Sequence, residues 1–432
     1  MSEGRPVLVR AIGRWDLTAL VINGVIGSSI FGMPSVLAAL TGAWSPVTAV
    51  LAGLGILTIV LCHAEVASRF KDAGGSYLYA REAFGSGVGF QAGWLSFWIR
   101  VTSMGANLNV FVDYLAQLAP AAGGSAGRAA VMCAVTALVT ALNVIGVRQG
   151  SRTVDVFTLA KLLPLLLLVA LGLSRIRSEV MATQAVATPD WTQAVLLLVF
   201  AYGGFEAALI PAGEAKDPRR DSAFALLTAL AVIATLYALV QLTVVGTVPR
   251  VAAVRAPVAA AFGALMGSGG LVFASLAAMI STYGWTVGAA LTSPRILYSM
   301  AEQGELPAPL ARVHPRFRTP DISIYAFSAG GLAFGLAGGF AANATASAIA
   351  RLVTYALVCG SLLVFRRRAQ MEVPGFRVPA GAAVAVTGMG FCAWLLSTRT
   401  FTQAWVLLAI MAVGFVLWAA SRGQGRRGRS SV

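Results

Sequence analysis

The chain has 432 residues, of which 58% are hydrophobic and 11% charged, and it carries a formal net charge of +15. This composition excludes an ordinary soluble domain, because many apolar runs approach the roughly 20 residues that a helix needs to cross a bilayer. In a soluble domain the basic excess would suggest nucleic acid, but here the basic residues lie between apolar runs. We therefore expect membrane topology, and no nucleic-acid partner, to account for the charge.

Twelve apolar runs are predicted to cross the membrane, joined by connections too short for a soluble domain. They lie at roughly 15–40, 45–67, 88–118, 128–146, 153–174, 191–213, 222–246, 270–298, 323–340, 344–365, 380–398 and 401–420. Most lysines and arginines fall on one side if the amino terminus is cytoplasmic, so both termini are predicted to be cytoplasmic in a plasma (inner) membrane. The same residues would attract anionic lipid headgroups.

The first run is interrupted midway by small residues within the segment Asn23–Pro34. It contains three glycines and two serines: Gly24, Gly27, Gly32, Ser28 and Ser29. Each glycine lowers helix stability by about 1 kcal/mol relative to alanine, and the serines compete for backbone hydrogen bonds. The helix is therefore predicted to open there, which is tolerable in a bilayer only beside protein or a polar cavity. One half-helix would offer N–H groups to an anion and the other would offer carbonyls to a cation, which suits a zwitterion.

The first cytoplasmic connection, residues 69–85, is predicted to be an amphipathic segment at the membrane interface. Gly74 and Gly75 permit a sharp turn, and Tyr77, Tyr79 and Phe84 stand among charged residues.

Two isolated charges lie deep in the third and fifth runs. Arg100 is about twelve residues into its run, or about 18 Å along the helix axis, and a charge at this depth must be paired or hydrated. It is either functional or part of a structural ion pair. Lys161 lies about eight residues into its run, so its ammonium must find oxygen ligands or lose its proton. The alternative is a lysine that reaches the cytoplasmic face near Asp155.

The sixth run repeats the pattern of the first. It breaks at Gly203-Gly204 and places Glu206 just beyond. Because the two broken runs are five crossings apart they are antiparallel, which indicates an inverted repeat with the binding site between the breaks. The halves would be residues 15–174 and 191–365, with two additional helices at 380–420, a cytoplasmic segment at 1–14 and a basic tail at 421–432. The alternative is that these glycines serve only close helix packing.

The remaining polar residues give weaker signals. Ser281, Thr282 and Trp285 in the eighth run either face the cavity or pack, and Arg351 is expected near the outer end of the tenth run, outside the site. The four cysteines lack CxxC spacing, and neither histidine has a second ligand at metal spacing. No disulfide, metal site or cofactor is expected.

Four stretches, in the same order along the chain, resemble the amino acid, polyamine and organocation (APC) transporter superfamily, in its amino acid permease branch. They are the break of the first run, residues 69–85, Gly203–Glu206, and Ser293–Pro307 followed by Thr319-Pro320. The resemblance covers nearly the whole chain. It implies an all-α integral membrane fold with a five-plus-five inverted repeat and broken helices 1 and 6, and secondary active transport of amino acids by alternating access.

The resemblance also implies a set of substrate residues: Val25, Gly27, Ser28, Ser29, Phe200, Gly203 and Phe205. The substrate carboxylate would meet N–H groups and hydroxyls of the glycine and the two serines, and the α-amine would meet carbonyls of the valine, Phe200 and Gly203. Phe200 or Phe205 would cover the site. The family usually has Gly-Ser-Gly where this chain has Gly27-Ser28-Ser29, so Ser29→Gly is expected to widen the pocket.

The coupling residues are likewise implied by the resemblance. In sodium-coupled relatives of this fold an ion lies between the first and eighth spans, and a lysine of span 5 resembles its replacement in many other members. Lys161 would then bond carbonyls around Ile22 and Val25, and the Ser281 hydroxyl. This predicts sodium-independent proton symport, with amino acid exchange or export as the alternative. Arg100 and Glu206 are predicted to be ion-pair partners, because opposite charges offset each other's desolvation.

Two other classes of protein fit the sequence less well. A channel needs a continuous ring of carbonyls or charges, whereas this chain has two isolated breaks. A membrane enzyme needs paired acids or metal ligands, whereas the carboxylates here are scattered singly. The sequence identifies neither the amino acid nor any accessory subunit.

Overall fold

The computed structural model describes residues 12–70, 75–146, 151–208, 215–368 and 373–429. Across these ranges the chain is helical, and its only β-type pairing is a single bridge between Ile12 and Ala215. Part of the first predicted connection, including Gly74, lies outside the described residues.

The described residues of the first half of the chain form seven α-helices. They are α1 (Arg14–Val25), α2 (Ser29–Thr41), α3 (Ser45–Ala67), α4 (Gly75–Phe84), α5 (Ser86–Leu118), α6 (Ser125–Ile145) and α7 (Ser151–Gly172). The rest of the described chain forms ten more. They are α8 (Ser178–Ala182), α9 (Trp191–Tyr202), α10 (Phe205–Ala208), α11 (Pro218–Thr247), α12 (Pro257–Thr292), α13 (Pro294–Glu302), α14 (Asp321–Ala337), α15 (Phe340–Arg367), α16 (Gly381–Ser397) and α17 (Phe401–Arg429). Short 3₁₀-helices lie at Gly42–Trp44, Pro120–Gly123, Leu173–Arg175, Val251–Ala253 and Ala308–Ala311.

Within the described ranges, six helical stretches are long and apolar enough to cross a membrane. They are Ser29–Ala67, Ser125–Ile145, Arg219–Thr247, Pro257–Glu302, Phe340–Arg367 and Phe401–Ser421. The shorter helices α9, α14 and α16 are also apolar. This confirms the predicted all-α, multi-pass architecture. The boundaries proposed for the two repeats and for the terminal helix pair remain predictions.

Both predicted helix breaks are present. α1 ends at Val25 and α2 begins at Ser29, with Ile26 in an extended conformation between them (φ −74°, ψ 100°). α9 ends at Tyr202 and α10 begins at Phe205. The local cause is similar in both, because glycines lower the cost of leaving the helix, and serines add to this at the first break.

The start predicted for the eighth run, residue 270, lies next to a kink within a longer helix, whereas its predicted end, residue 298, was too late. α12 already begins at Pro257, and it contains a kink at Gly267, whose φ of 69° is not helical. At the other end the helix stops at Thr292, and Pro294 starts the separate helix α13. Proline lacks an N–H group but is tolerated in a first helical turn, so it starts a new helix more readily than it continues one.

α5 lies at the centre of the bundle and packs against α15, α12 and α14. It is one continuous helix of 33 residues, as the length of the third run predicted. At 1.5 Å per residue it is about 50 Å long, more than the roughly 30 Å hydrocarbon core, so it must tilt or project from the membrane. Because α5 contacts α15, α12 and α14 together, side chains on its inner face can meet groups from several spans.

Candidate functional site

The two helix breaks lie against each other, and glycine is what permits it. Gly204 has a φ of 120°, which side chains rarely tolerate. A Cβ atom on Gly204 would overlap the carbonyl oxygen of Gly24 and lie 3.1 Å from the Cα of Val25. A Cβ on Gly24 would lie 3.2 Å from the carbonyl oxygen of Gly204. The backbone of one break is therefore in direct contact with the backbone of the other.

A cavity of about 20 Å³ opens beside this contact. Its lining combines both breaks with α5, α12 and α15. The lining residues are Gly24, Val25, Gly27, Ser28, Ser29, Arg100, Ser103, Asn107, Phe200, Gly203, Gly204, Trp285 and Arg351. Six of the seven predicted substrate residues are thus brought together at one site, and the predicted coupling residue Arg100 joins them.

A larger cavity of about 400 Å³ lies elsewhere, between α5, α15 and α17. On α5 it touches Trp98 and Thr102, whereas the small cavity touches Arg100, Ser103 and Asn107. At 3.6 residues per turn these two sets point to opposite faces of the helix. The small cavity contains the broken helices and the buried charges, so it is the candidate substrate site.

The break between α1 and α2 offers unused hydrogen-bonding groups to the cavity. The first N–H groups of a helix have no partner within it, and they carry the positive end of the helix dipole. Among the described residues the buried hydroxyl of Ser28 has no hydrogen-bond partner, and neither does the side-chain oxygen of Asn107. Buried polar groups are normally paired, so these two mark a surface suited to a polar ligand.

Ser29 is the residue at which this chain departs from the family triplet. Its hydroxyl lies 2.9 Å from the phenolic oxygen of Tyr237, which in turn donates to the carbonyl of Ala201 at 3.0 Å. Ser29 also lines a second small cavity on the α11 side, together with Tyr237. Its side chain therefore bridges the first break to α11.

Lys161 of α7 is directed at the first break and is 3% exposed. Its ammonium donates to the side-chain oxygen of Asn23 at 3.0 Å and to the carbonyl of Ile26 at 3.2 Å. The lysine is thus beside the break rather than extended towards Asp155 and the membrane surface.

Lys161 bonds a carbonyl at the first break, as predicted, but that of Ile26 rather than those of Ile22 or Val25, and it does not bond Ser281. The carbonyl of Ile22 accepts instead from the N–H of Ile26 at 2.9 Å, which is the last turn of α1. The hydroxyl of Ser281 has no hydrogen-bond partner among the described residues. Because Ile26 is extended, its own carbonyl leaves the helix and is available to the ammonium, and Val25 is not needed.

Glu206 follows the second break, and its carboxylate is fully engaged. One oxygen forms an ion pair with Arg351 of α15. The other accepts from the N–H of Gly204 at 2.9 Å and from the hydroxyl of Tyr355 at 3.3 Å. The predicted partner Arg100 therefore does not form this ion pair; Arg351 does.

The prediction that Arg351 lies outside the site was wrong. Arg351 is 3% exposed and lines the cavity. α15 begins at Phe340, earlier than predicted, so Arg351 lies about 17 Å along the helix, near its middle. Its guanidinium occupies the space that a side chain at Gly203 would need.

Of the two phenylalanines predicted to cover the site, the structure brings only Phe200 to the cavity. Phe205 instead stacks on Tyr355, with ring centroids 5.4 Å apart, and meets the edge of His63 at 5.1 Å. It therefore packs behind the second break.

Several residues of the site were not assigned to it from the sequence. They are Gly24, Ser103, Asn107, Gly204 and Arg351, whereas Trp285, for which facing the cavity and packing were left as alternatives, lines it. A signal for two of them was present, because Ser103 and Asn107 follow Arg100 at spacings of three and seven and so share its helix face. The contact of Gly24 with Gly204 had no signal, since it depends on how the two breaks pack.

Comparison with known proteins identifies the family. A family profile described as "Amino acid permease" matches residues 12–420. The methylthioribose transporter of Bacillus subtilis (strain 168) is 27% identical, over 96% of this chain and 92% of that protein. The serine/threonine exchanger SteT of the same organism is 27% identical, over 92% of each chain. The branched-chain amino acid permease BcaP, also from that organism, is 23% identical, over 96% of this chain and 94% of the relative.

The family match covers nearly the whole chain and includes both helix breaks and every residue of the cavity. It also agrees with the resemblance that the four sequence stretches suggested. The relatives are named as transporters, exchangers and permeases rather than as enzymes. This chain therefore belongs to the amino acid permease family, as a multi-pass integral membrane protein of the APC superfamily.

Proposed function

We propose that the protein carries amino acids across the plasma membrane by alternating access, with both termini in the cytoplasm. The observation that carries the proposal is the contact of two broken helices beside a cavity that the unpartnered hydroxyl of Ser28 lines. Helix ends of this kind offer N–H groups for a carboxylate and carbonyls for an ammonium. A free amino acid carries both groups on one carbon, so it matches the site.

In the proposed complex the substrate carboxylate meets Gly27, Ser28 and Ser29 at the start of α2. The α-amine meets carbonyls of Val25, Phe200 and Gly203, while the Phe200 ring closes one side. The carbonyl of Phe200 already accepts from the N–H of Gly203 at 3.1 Å, but a carbonyl oxygen has a second lone pair.

The volume of the cavity supports a moving site. About 20 Å³ has room for little more than a water molecule, whereas sites for small molecules typically measure roughly 300–1,000 Å³. An amino acid would fit only after the spans around the breaks move apart. This is the behaviour that alternating access requires.

We further propose that Lys161 couples transport to protons and makes it independent of sodium. Its ammonium donates to Asn23 and Ile26 at the first break, where a bound cation would otherwise neutralise the exposed oxygens. Loss of the proton would remove the charge and weaken both hydrogen bonds, and so loosen the hold of α7 on α1. Glu206 and Arg351 would hold the second break in place meanwhile.

Exchange of amino acids is the second candidate, because the serine/threonine exchanger SteT is among the relatives. Methylthioribose, which another relative is named for, has neither a carboxylate nor an amine, so it would leave the helix ends without charged partners. We regard it as a competitor to be tested rather than as the expected substrate.

Uptake by purified protein in proteoliposomes tests the proposal. Labelled amino acids and methylthioribose would be supplied with and without sodium, an inward proton gradient, or internal amino acid. Symport predicts accumulation driven by the proton gradient in empty, sodium-free vesicles, and exchange predicts uptake only into preloaded vesicles. Sodium-dependent uptake would contradict the proposed coupling, and transport of methylthioribose alone would contradict the proposed substrate.

A further inference from the structure

The charges around the cavity do not balance. Two arginines, Arg100 and Arg351, line it, and Glu206 is the carboxylate that interacts electrostatically with both. Both carboxylate oxygens of Glu206 are already used, one by Arg351 and the other by Gly204 and Tyr355. Glu206 therefore compensates one arginine, and the other remains as a surplus positive charge.

The surplus lies on Arg100. Within the part of the chain that the structure describes, its guanidinium forms no hydrogen bond and no ion pair, although it sits among the side chains lining the cavity. An arginine near the middle of a membrane costs several kcal/mol unless it is paired or hydrated. Arginine is also the side chain best suited to bind a carboxylate, because its planar N–H groups can donate two parallel hydrogen bonds.

Polar side chains near Arg100 add hydrogen-bonding groups to a candidate anion site. Ser103 and Asn107 lie on the same face of α5 as Arg100 and line the same cavity. The side-chain amide of Asn107 donates to the carbonyl of Ser103 at 2.8 Å, while its oxygen has no partner among the described residues. α5 thus presents a free cation beside a polar, partly unsatisfied wall.

We propose that Arg100 forms an anion subsite and that the preferred substrate carries a second acid group, as an amino acid with a carboxylate side chain does. This rests on the proposed function, in which the α-carboxylate is bound by the start of α2. A neutral amino acid is a zwitterion and leaves the charge of Arg100 uncompensated. An acidic amino acid adds one negative charge and balances the cavity.

A different role for Arg100 gives a different result. If it bound the α-carboxylate itself, every amino acid would depend on it equally. If it binds the side chain, only acidic substrates depend on it. The two roles are therefore separated by comparing glutamate with glutamine and aspartate with asparagine, pairs that differ little in size and shape but differ in charge.

The test is uptake and competition in proteoliposomes for these four amino acids, with the wild type, Arg100→Gln, Arg100→Lys and the control Arg255→Gln, whose arginine is exposed and outside the cavity. We expect the wild type and the control to prefer each acid over its amide by about tenfold or more, in keeping with a charge-assisted hydrogen bond. Arg100→Gln should lose this preference while it still takes up the amides. Arg100→Lys keeps the charge and should retain part of the preference.

Two results would overturn the subsite and leave the proposed function standing. One is wild-type uptake of neutral amino acids with no response to acidic ones. The other is an equal loss of acids and amides in Arg100→Gln, with the protein still monodisperse. If Arg100→Gln does not fold, the preference of the wild type for each acid over its amide still tests the subsite. Absence of uptake for every amino acid would overturn the proposed function, and the subsite with it.

Discussion

Gly204 shows how strictly one residue can be determined by its surroundings. Its φ of 120° and its contact with the backbone of Gly24 leave no room for a side chain. We expect Gly204→Ala to lower the free energy of unfolding by about 3 kcal/mol, from backbone strain together with overpacking. Thermal unfolding in detergent would measure this.

The matched control is Gly288→Ala in α12. A Cβ atom at Gly288 would have no neighbour within 4 Å, so alanine there should be neutral or stabilise the helix by up to about 1 kcal/mol. Equal stability of the two variants would show that the two breaks are not in contact.

Ser29 gives a second prediction at this scale. Ser29→Gly removes a side chain from the cavity wall and the hydrogen bond to Tyr237, which retains its bond to Ala201. Larger amino acids should then compete better relative to small ones. Tyr237→Phe is the control, since it removes the same hydrogen bond without widening the wall. If both variants keep the wild-type ranking, Ser29 does not contact the substrate.

The buried charges could be predicted from the sequence, but their partners could not. The deep charges Arg100 and Lys161 were recognised, because isolated charges in apolar runs are costly wherever they lie. The partners of Lys161 and of Glu206 were not, since Asn23, Ile26 and Arg351 approach only through the packing of α7 and α15 on the breaks. Composition can reveal that a charge needs a partner, but the partner depends on tertiary structure.

At the scale of helices, Glu65 joins α3 to α15 and to the segment before α16. Its carboxylate is fully buried and accepts from Arg69 at 2.9 Å, from Arg366 at 2.9 Å and from the N–H of Val378 at 2.8 Å. No sequence pattern predicts this network, because Arg366 is 301 positions away from Glu65.

Removing one charge from this network should be costly. We expect Glu65→Gln to lower the free energy of unfolding by about 3–5 kcal/mol, because it leaves buried arginine charge without compensation. Thermal unfolding of the purified protein is again the measurement. Glu179→Gln, at an exposed position of α8, should have no effect. If the two variants unfold alike, the network contributes nothing to the packing of α3 on α15.

Helix existence was easier to predict than helix limits. Long apolar runs predicted the spans, and clusters of glycine, with serine in the first run, predicted both breaks, because backbone propensity acts locally. The helical stretch of α12 before Gly267 and the start of α15 at Phe340 were missed, since both lie inside or beside apolar sequence. The error at α15 placed Arg351 outside the site.

In the whole molecule, each of the two broken helices is held at its break by a buried charged side chain. α1 is held at its break by Lys161 of α7, and α10 is held behind its break by the ion pair of Glu206 with Arg351. These two interactions, called here the first and the second hold, differ in kind. In the first, the Lys161 ammonium is a lone cation bound to neutral oxygens, and the second is the ion pair of Glu206 with Arg351. The proposed proton step therefore acts on the first hold, because each charge of an ion pair stabilises the other against a change of protonation.

The most direct test of this account is pH-driven uptake by Lys161→Ala beside the wild type, in sodium-free proteoliposomes with equal amounts of folded protein. The wild type should accumulate amino acid when the proton gradient is directed inwards and should be unaffected by added sodium. Lys161→Ala should remain folded and lose this accumulation. A wild-type response to the proton gradient in Lys161→Ala, or uptake by the wild type that needs sodium, would contradict the account.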